Sequence, residues 1–347
     1  MTGAGEGGGE GASSLLPVAV DAMGGDRAPD EIVAGARLAA AELGRPVALV
    51  GRPQAIEAVE GGAGGLEVMA ASEVIAMDED PAQGVRRKKD SSLVRAAEAV
   101  RDGRASAMVS AGNTGATMAS ALLRMGRLPG VARPAIATPI PVPGSTPTVL
   151  IDAGANAECS PPWLVQFAQM GSAFARERFG LAEPRVGLLS VGEEPTKGNT
   201  LVKETHELLT RTPGIRFVGN VEGRSILSDA VDVVVTDGFT GNVALKTLEG
   251  SLRFLVNAVL GAFSSSEEAK RAAQVLLPAL APVVDELDPD STGGAMLLGV
   301  DGVCIISHGS SSARAIVNAV RVAHDMVERG LVGALRDAVG NPVGSRR

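Results

Sequence analysis

The chain has 347 residues, 45% of them hydrophobic and 21% charged, with a net charge of −8. Those proportions belong to an ordinary globular protein, and the acidic balance argues against general nucleic-acid binding. Aromatic residues make up only 2%, with no tyrosine and one tryptophan, so a single strand would find few rings to stack on.

In chain order, residues 1–14 (MTGAGEGGGEGASS) lack the basic and apolar regions of a signal peptide and read as a flexible tail. From Leu15 one arrangement recurs: a short apolar run, a loop of small polar residues, then a helical pattern. Leu15–Val20 runs through DAMGGDRA to a helix opened by Pro29. Ser106–Ser110 leads through AGNTGA to a helix reaching Leu123, and Thr148–Asp152 through AGANAECS to Pro161 and Pro162, which suit a first helical turn. Val186–Val191 precedes GEEPTKGNT and the helix holding His206 and Leu209. Val231–Thr236 precedes DGFTGN and a long helix, and Gly302–Ser307 precedes HGSSS and a helix to about Arg329. No apolar run approaches the ~20 residues of a membrane span.

The apolar runs are continuous rather than alternating, which predicts burial on both faces. The expected fold is a three-layer α/β/α with a mostly parallel sheet, its ligand beyond the carboxyl ends of the strands. Length alone suggests about two domains at ~150 residues each. A large open sheet commonly makes one, and the expected division is a single domain over 15–335 with tails at 1–14 and 336–347. The small polar residues cluster at strand ends, where helix N-termini offer free N–H groups to an anion. One such loop is only a turn and an N-cap; several on one sheet edge point to a ligand. Neither GxxxxGK[ST] nor GxGxxG follows a strand, so the ATP and dinucleotide fingerprints are missing.

Among reactive residues, Lys197 in a strand-end loop is either a solvated lysine or a cation for a phosphate or oxyanion. His308 directly follows a strand, as a turn residue or as an acid–base group. His206 and His324 fall inside helices and read as structural. Cys304 reads as core. Cys159, in a strand-end loop, could be a nucleophile, but no histidine is near in sequence. The two cysteines form neither a disulfide framework nor a metal spacing. Asp21, Asp152 and Asp237 end or follow strands, where one can cap a helix and another orient a substrate; as a metal set they are weakly signalled, and no metal is expected. Arg86, Arg87, Lys88 and Lys89 form the one dense cationic cluster, a solvated face or a dock for an acidic partner. Ser251–Leu287 reads as two apolar-rich helical arms around a turn at Ser264–Glu268.

Seven co-linear blocks carry a resemblance to a known family: VAVDAMGGDRAPDEIV, SAGNTGATM, IDAGANAECSP, GEEPTKGNTL, FVGNVEGRSI, DVVVTDGFTGNVALKTLEG and GVDGVCIISHGSSSARAI. From about Leu16 to Leu331 the chain resembles the phosphate acyltransferases of bacterial phospholipid synthesis. The resemblance implies an isopropylmalate-dehydrogenase-like fold with a protruding helical hairpin, a homodimer, and transfer of a fatty acyl group from acyl carrier protein to inorganic phosphate. A membrane glycerol-3-phosphate acyltransferase would use the product. On this reading Lys197, His308 and Asn242 are the candidate catalytic residues. Asp21, Gly24, Gly25, Ser110, Asn113, Thr114, Asn156, Asn199, Asn220, Asp237, Gly241 and Ser310 are the candidate substrate-binding residues. No cofactor is expected, Arg86–Lys89 would dock the carrier, and the location would be cytoplasmic with the hairpin at a dimer interface or resting on the membrane's inner face. Arg27 stands where the family often has histidine, which removes a catalytic histidine there, and the tail before Leu15 lies outside the pattern. Three other readings stand beside it: a phosphotransacetylase-like enzyme using short acyl-CoA, a pyridine-nucleotide decarboxylating dehydrogenase of related fold, for which no carboxylate set or nucleotide pocket can be assembled, and a non-catalytic carrier-docking scaffold.

Overall fold

The computed structural model describes residues 15–340. The expected tail at 1–14, and residues 341–347 of the one expected at 336–347, lie outside the described residues. The strands are β1 (Val18–Asp21), β2 (Val47–Gly51), β3 (Glu67–Ala70), β4 (Ala107–Ser110), β5 (Ala135–Ile140), β6 (Thr148–Ile151), β7 (Arg185–Leu189), β8 (Arg216–Val221), β9 (Val233–Val235), β10 (Ala295–Leu298) and β11 (Val303–Ile306). The helices are α1 (Asp30–Leu43), α2 (Pro53–Ala58), α3 (Pro81–Arg87), α4 (Ser92–Arg101), α5 (Thr114–Arg124), α6 (Pro161–Phe179), α7 (Thr200–Thr210), α8 (Gly238–Phe263), α9 (Glu267–Leu287), α10 (Ala313–Glu328) and α11 (Leu331–Val339).

All strands join one 11-stranded sheet in the order β3-β2-β1-β4-β11-β10-β5-β6-β9-β7-β8. It is mostly parallel, as expected, and helices cover both sides. Alternate residues separate the faces. Val18, Val20, Leu49 and Val109 meet α1, α6 and α10 through Ile32, Phe167, Phe174 and Ile316. Ala19, Val50 and Met108 meet Val94, Ala97, Ala116 and Ala121 of α4 and α5 on the other. Farther along that second face, Leu150 and Val234 meet Leu245 and Leu248 of α8.

One expectation is corrected. β10 is antiparallel to β11 and to β5, and β5 is antiparallel to β6. Three reversals in a row set the two parallel blocks running in opposite directions, so the strand carboxyl ends do not share one edge. The loops after β1, β4 and β11 lie at one edge; those after β6, β7 and β9 lie at the other. Between α5 and α8 the second face is left uncovered, and its floor is β5 and β10.

The helical arms expected at Ser251–Leu287 extend from this body as α8 and α9. Past Gly241 no residue of α8 is buried, and in α9 only Ala273 is. Among the described residues no helix is long and apolar enough to cross a membrane.

Candidate active site

The glycine-rich loops turn out to press against one another. Asp21, at the end of β1, is 2% exposed and accepts from the Ser110 hydroxyl (2.8 Å) and the Met23 N–H (3.2 Å). Ser110 in turn accepts from the Gly112 N–H at 3.0 Å. A Cβ on Gly24 would lie 2.5 Å from Asp21 Oδ2 and 2.8 Å from the Gly112 nitrogen. Gly25, at φ +116°, would bring one within 3.2 Å of the Gly309 carbonyl, and the neighbouring Asp26 N–H donates to that carbonyl at 2.8 Å. The space at Gly24 and Gly25 is thus filled by the chain itself. Burial pushes the Asp21 carboxyl up from the ordinary aspartate value, against the hydroxyls of Ser92 and Ser110.

The opposite edge repeats this logic. Asp152 is fully buried and accepts five N–H bonds, from Ile136, Gly154, Ala155, and the backbone and side chain of Asn156. Burial pushes its carboxyl up too, while the donors pull it back. Asn156 also donates to the Pro134 carbonyl at 2.8 Å. Asp237 caps α8, taking the Thr240 N–H and hydroxyl at 2.8 Å each. Asn113 caps α5 and donates to the carbonyl of Met77 at 2.8 Å. These side chains shape loops, with their own polar groups already engaged.

Lys197 is exposed in the loop after β7, on the edge opposite His308, and does not line the cleft. Beside it, Asn199 caps α7 by accepting the Val202 N–H. Asn220 is buried between His206 Nδ1 (3.0 Å) and the Glu194 carbonyl (2.9 Å). His206 is therefore structural, as expected. So is His324, whose pKa burial lowers.

Three of the expected residues do converge. Thr114, at the first turn of α5, Asn242 of α8 and His308 after β11 line one cleft of about 170 Å³. Ile136, Thr138, Ala295 and Ile306 line it as well, the first two from β5. Asn242, Leu245, Lys246 and Glu249 line its other wall, spaced i, i+3, i+4, i+7 as one helical stripe. Lys246, which sequence reading passed over, pairs with Glu249 at 2.8 Å and is the cation of this wall. Ser310 stands behind His308: its hydroxyl lies 2.7 Å from Nδ1 and its N–H donates there at 3.3 Å. With Nδ1 taking the Ser310 N–H, Nε2 is left for another partner.

Two buried hydroxyls border the cleft. Thr138 Oγ1 and Ser307 Oγ are buried with no hydrogen-bond partner among the described residues, and Ser307 is 6% exposed. Buried polar groups are normally satisfied, so an unpaired pair in a cleft leaves room for a ligand's acceptors. No group of three or more histidine, cysteine, aspartate or glutamate side chains suits a metal among the described residues.

Cys159 is set apart from nucleophilic chemistry. Burial, with the Asp152 charge second, pushes its thiol up to about 12, and Sγ faces the Asn156 carbonyl at 3.6 Å. Cys304 is fully buried and also raised to about 12. Both thiols should resist iodoacetamide at mildly alkaline pH until the protein is unfolded in guanidinium. Alkylation of folded protein at Cys159, read by peptide mass, would overturn this.

The fold is thus a mostly parallel α/β/α sheet with a central cleft lined from α5, α8, β5 and the loop after β11. Comparison with known proteins narrows this. The family described as "Fatty acid synthesis protein" matches residues 16–333. The phosphate acyltransferase of Heliobacterium modesticaldum is 50% identical over 334 residues, covering 94% of this chain and 99% of the relative. That of Elusimicrobium minutum is 49% identical over 329 residues, covering 93% and 96%. Among solved structures, EutD phosphotransacetylase from Staphylococcus aureus aligns with TM-score 0.58 at 15% identity, covering 90% of this chain and 94% of that one. A 4-hydroxythreonine-4-phosphate dehydrogenase from Klebsiella pneumoniae aligns with TM-score 0.51 at 14% identity, covering 90% and 99%. These last two are alike in fold alone. The chain belongs to the phosphate acyltransferase family and is an acyltransferase.

Proposed function

We propose that the protein transfers a fatty acyl group from acyl carrier protein to inorganic phosphate, giving acyl phosphate for phospholipid synthesis. The observation that carries this reading is the cleft itself. Thr114, Asn242, Lys246 and His308 surround two unpartnered hydroxyls over an apolar floor of Ile136 and Ile306. Phosphate is the nucleophile. One of its oxygens attacks the thioester carbonyl carbon, the C–O bond forms, the C–S bond breaks, and the proton that phosphate gives up ends on the departing thiolate. No protein side chain needs to be acylated, which agrees with the inert Cys159. Holding the two reactants together can be worth effective molarities of ~10⁵–10⁸ M. Lys246 and the N-terminus of α5 hold phosphate, Asn242 donates to the tetrahedral oxyanion, and His308 Nε2–H donates a hydrogen bond to the sulfur as it takes up the proton phosphate gives up. One oxyanion donor is worth about 3–4 kcal/mol in comparable sites.

The decisive assay is thiol release from a long-chain acyl carrier protein with and without phosphate. Release that ignores phosphate overturns the reading.

The carrier is acidic, and the cationic cluster supports its docking beside the cleft: α3 begins at Pro81, against Gly115 of α5. Lys88 is engaged, donating to the Val74 carbonyl (2.7 Å) and to Glu79 (2.5 Å). Arg86, Arg87 and Lys89 are exposed and have no carboxylate partner among the described residues. Arg87→Glu with Lys89→Glu should weaken carrier binding about tenfold, mainly through the association rate, and flatten its salt dependence. A raised phosphate KM at unchanged carrier affinity would instead make the cluster a phosphate site.

The hairpin serves a homodimer on this reading, and its exposed Phe254, Leu255, Val275 and Leu276 also suit a membrane surface where the product is passed on. Phe263→Asp with Leu277→Asp should reduce liposome co-sedimentation and leave the dimer intact. Dissociation to monomers at unchanged lipid binding would assign the hairpin to the interface alone.

A further inference from the structure

The cleft floor does not end at Ile136. Residues 134, 136 and 138 fall on one face of the chain by strand alternation, and Pro134 opens a second cavity, a groove of about 630 Å³. Its other lining residues are Leu122, Arg127, Ala132, Arg133 and Trp163. α5 spans the same interval, with Thr114 in the cleft and Leu122 in the groove, about 12 Å apart at 1.5 Å per residue. From Pro134 to Thr138 the strand covers about 13 Å. The two measures agree, and groove and cleft lie about 13 Å apart along β5 and α5.

The groove is built for an anion. The Arg133 guanidinium lies 4.9 Å from the centre of the Trp163 ring, and Arg127 donates to the Ala132 carbonyl. Neither arginine has a carboxylate partner among the described residues, although the protein is acidic overall. The loop between them is fixed from α6: Gln166 accepts the Ala132 N–H at 2.8 Å and donates to the Gly130 carbonyl at 2.9 Å. Two guanidiniums held ready and unpaired suit a phosphate ester, which they can grip with planar N–H pairs.

We infer that the Arg127–Arg133–Trp163 groove binds the phosphate end of the pantetheine arm that carries the acyl thioester. The inference rests on the proposed acyl transfer and names where its donor is held. The arm is about as long as four extended residues, ~14 Å, which matches the distance along β5 from the groove to Thr138 in the cleft. Its phosphate sits at the arginines, its amides run along β5, and its sulfur reaches the cleft that Thr138 and His308 line. Carrier protein and coenzyme A share this chemistry. A carrier laid along α5 would also meet the cationic cluster on α3.

Trp163 is the single tryptophan in a chain with no tyrosine, so intrinsic fluorescence reads this groove directly. Titration with 4′-phosphopantetheine should give a saturable fluorescence change, and pantetheine, lacking the phosphate, should bind at least about tenfold more weakly. Arg127→Ala should remove that preference. An equal response to both compounds, or the same change from inorganic phosphate alone at equal concentration, overturns the inference. In turnover, the ratio of kcat/KM for acyl-phosphopantetheine over acyl-pantetheine should fall towards one in Arg133→Ala, while Arg133→Lys keeps part of it. Matching losses with acyl-coenzyme A and acyl carrier protein support the arm's phosphate as the contact. A loss confined to the carrier-borne donor would make the contact the carrier's own surface and overturn the assignment. If fluorescence shows the preference but no donor gives phosphate-dependent thiol release, the acyl-transfer reading fails and the groove's ligand chemistry stands. Normal turnover without the preference sinks the groove alone.

Discussion

Alanine at Gly241 should cost about 4 kcal/mol or more of stability, near the upper end for a single substitution. The added Cβ would lie 1.9 Å from the Asp152 carbonyl oxygen and 2.9 Å from Thr236 Cγ2. Asp152 cannot retreat, because its carboxylate holds five N–H groups that define the loop after β6. α8 must therefore move, and with it Asn242 and Lys246. Activity should fall further than the folded fraction does. Gly250, farther along the same helix, has nothing within 4 Å of its would-be Cβ. Gly250→Ala should stabilise by roughly 0.5–1 kcal/mol, from helix propensity alone. Urea midpoints of the two variants decide the matter. A Gly241→Ala protein within about 1 kcal/mol of the parent would mean the loop yields more readily than its hydrogen bonds suggest.

That contrast also shows what the sequence could and could not reveal. The six apolar runs with polar loops behind them became β1, β4, β6, β7, β9 and β11, because a strand buried on both faces writes itself as a continuous apolar word. The cap at Asp237 was legible for a similar reason, and Ser91, Asn113 and Asn199 likewise precede a helix and accept one of its free N–H groups. β5 and β10 were not. Ala135–Ile140 contains Thr138 and Pro139, and one of its faces floors a cleft instead of packing under a helix, so it carries no clean period. Missing them hid the three reversals that split the strand ends between two edges. It also hid Thr138 and Lys246, which enter the site from a strand face and a helix stripe rather than from a strand-end loop. The glycines misled in an instructive way. Gly24 and Gly241 do mark close backbone approach, but what approaches is another loop of the same chain.

Replacing His308 by alanine should lower kcat by about 10²–10³-fold, the usual span for one donor to developing charge, and leave the phosphate KM little changed. The ring is held by Ser310, whose N–H and hydroxyl both meet Nδ1, which leaves Nε2 for the substrate. Ser310→Ala should therefore lower kcat by a smaller factor, as a positioning effect. Lys246 gives the opposite signature. It is a contact to the phosphate dianion before and after attack, so Lys246→Ala should raise the phosphate KM and largely spare kcat. Two cations separate two geometries for the chemistry. Lys246 lies on the α8 wall of the cleft, whereas Lys197 stands at the sheet edge opposite His308. Turnover that collapses in Lys197→Ala but survives in both His308→Ala and Lys246→Ala would move the reaction to that edge. Loss of kcat in His308→Ala, with a phosphate KM that rises only in Lys246→Ala, places phosphate against α8 and the departing sulfur against His308, with the thioester carbon between them.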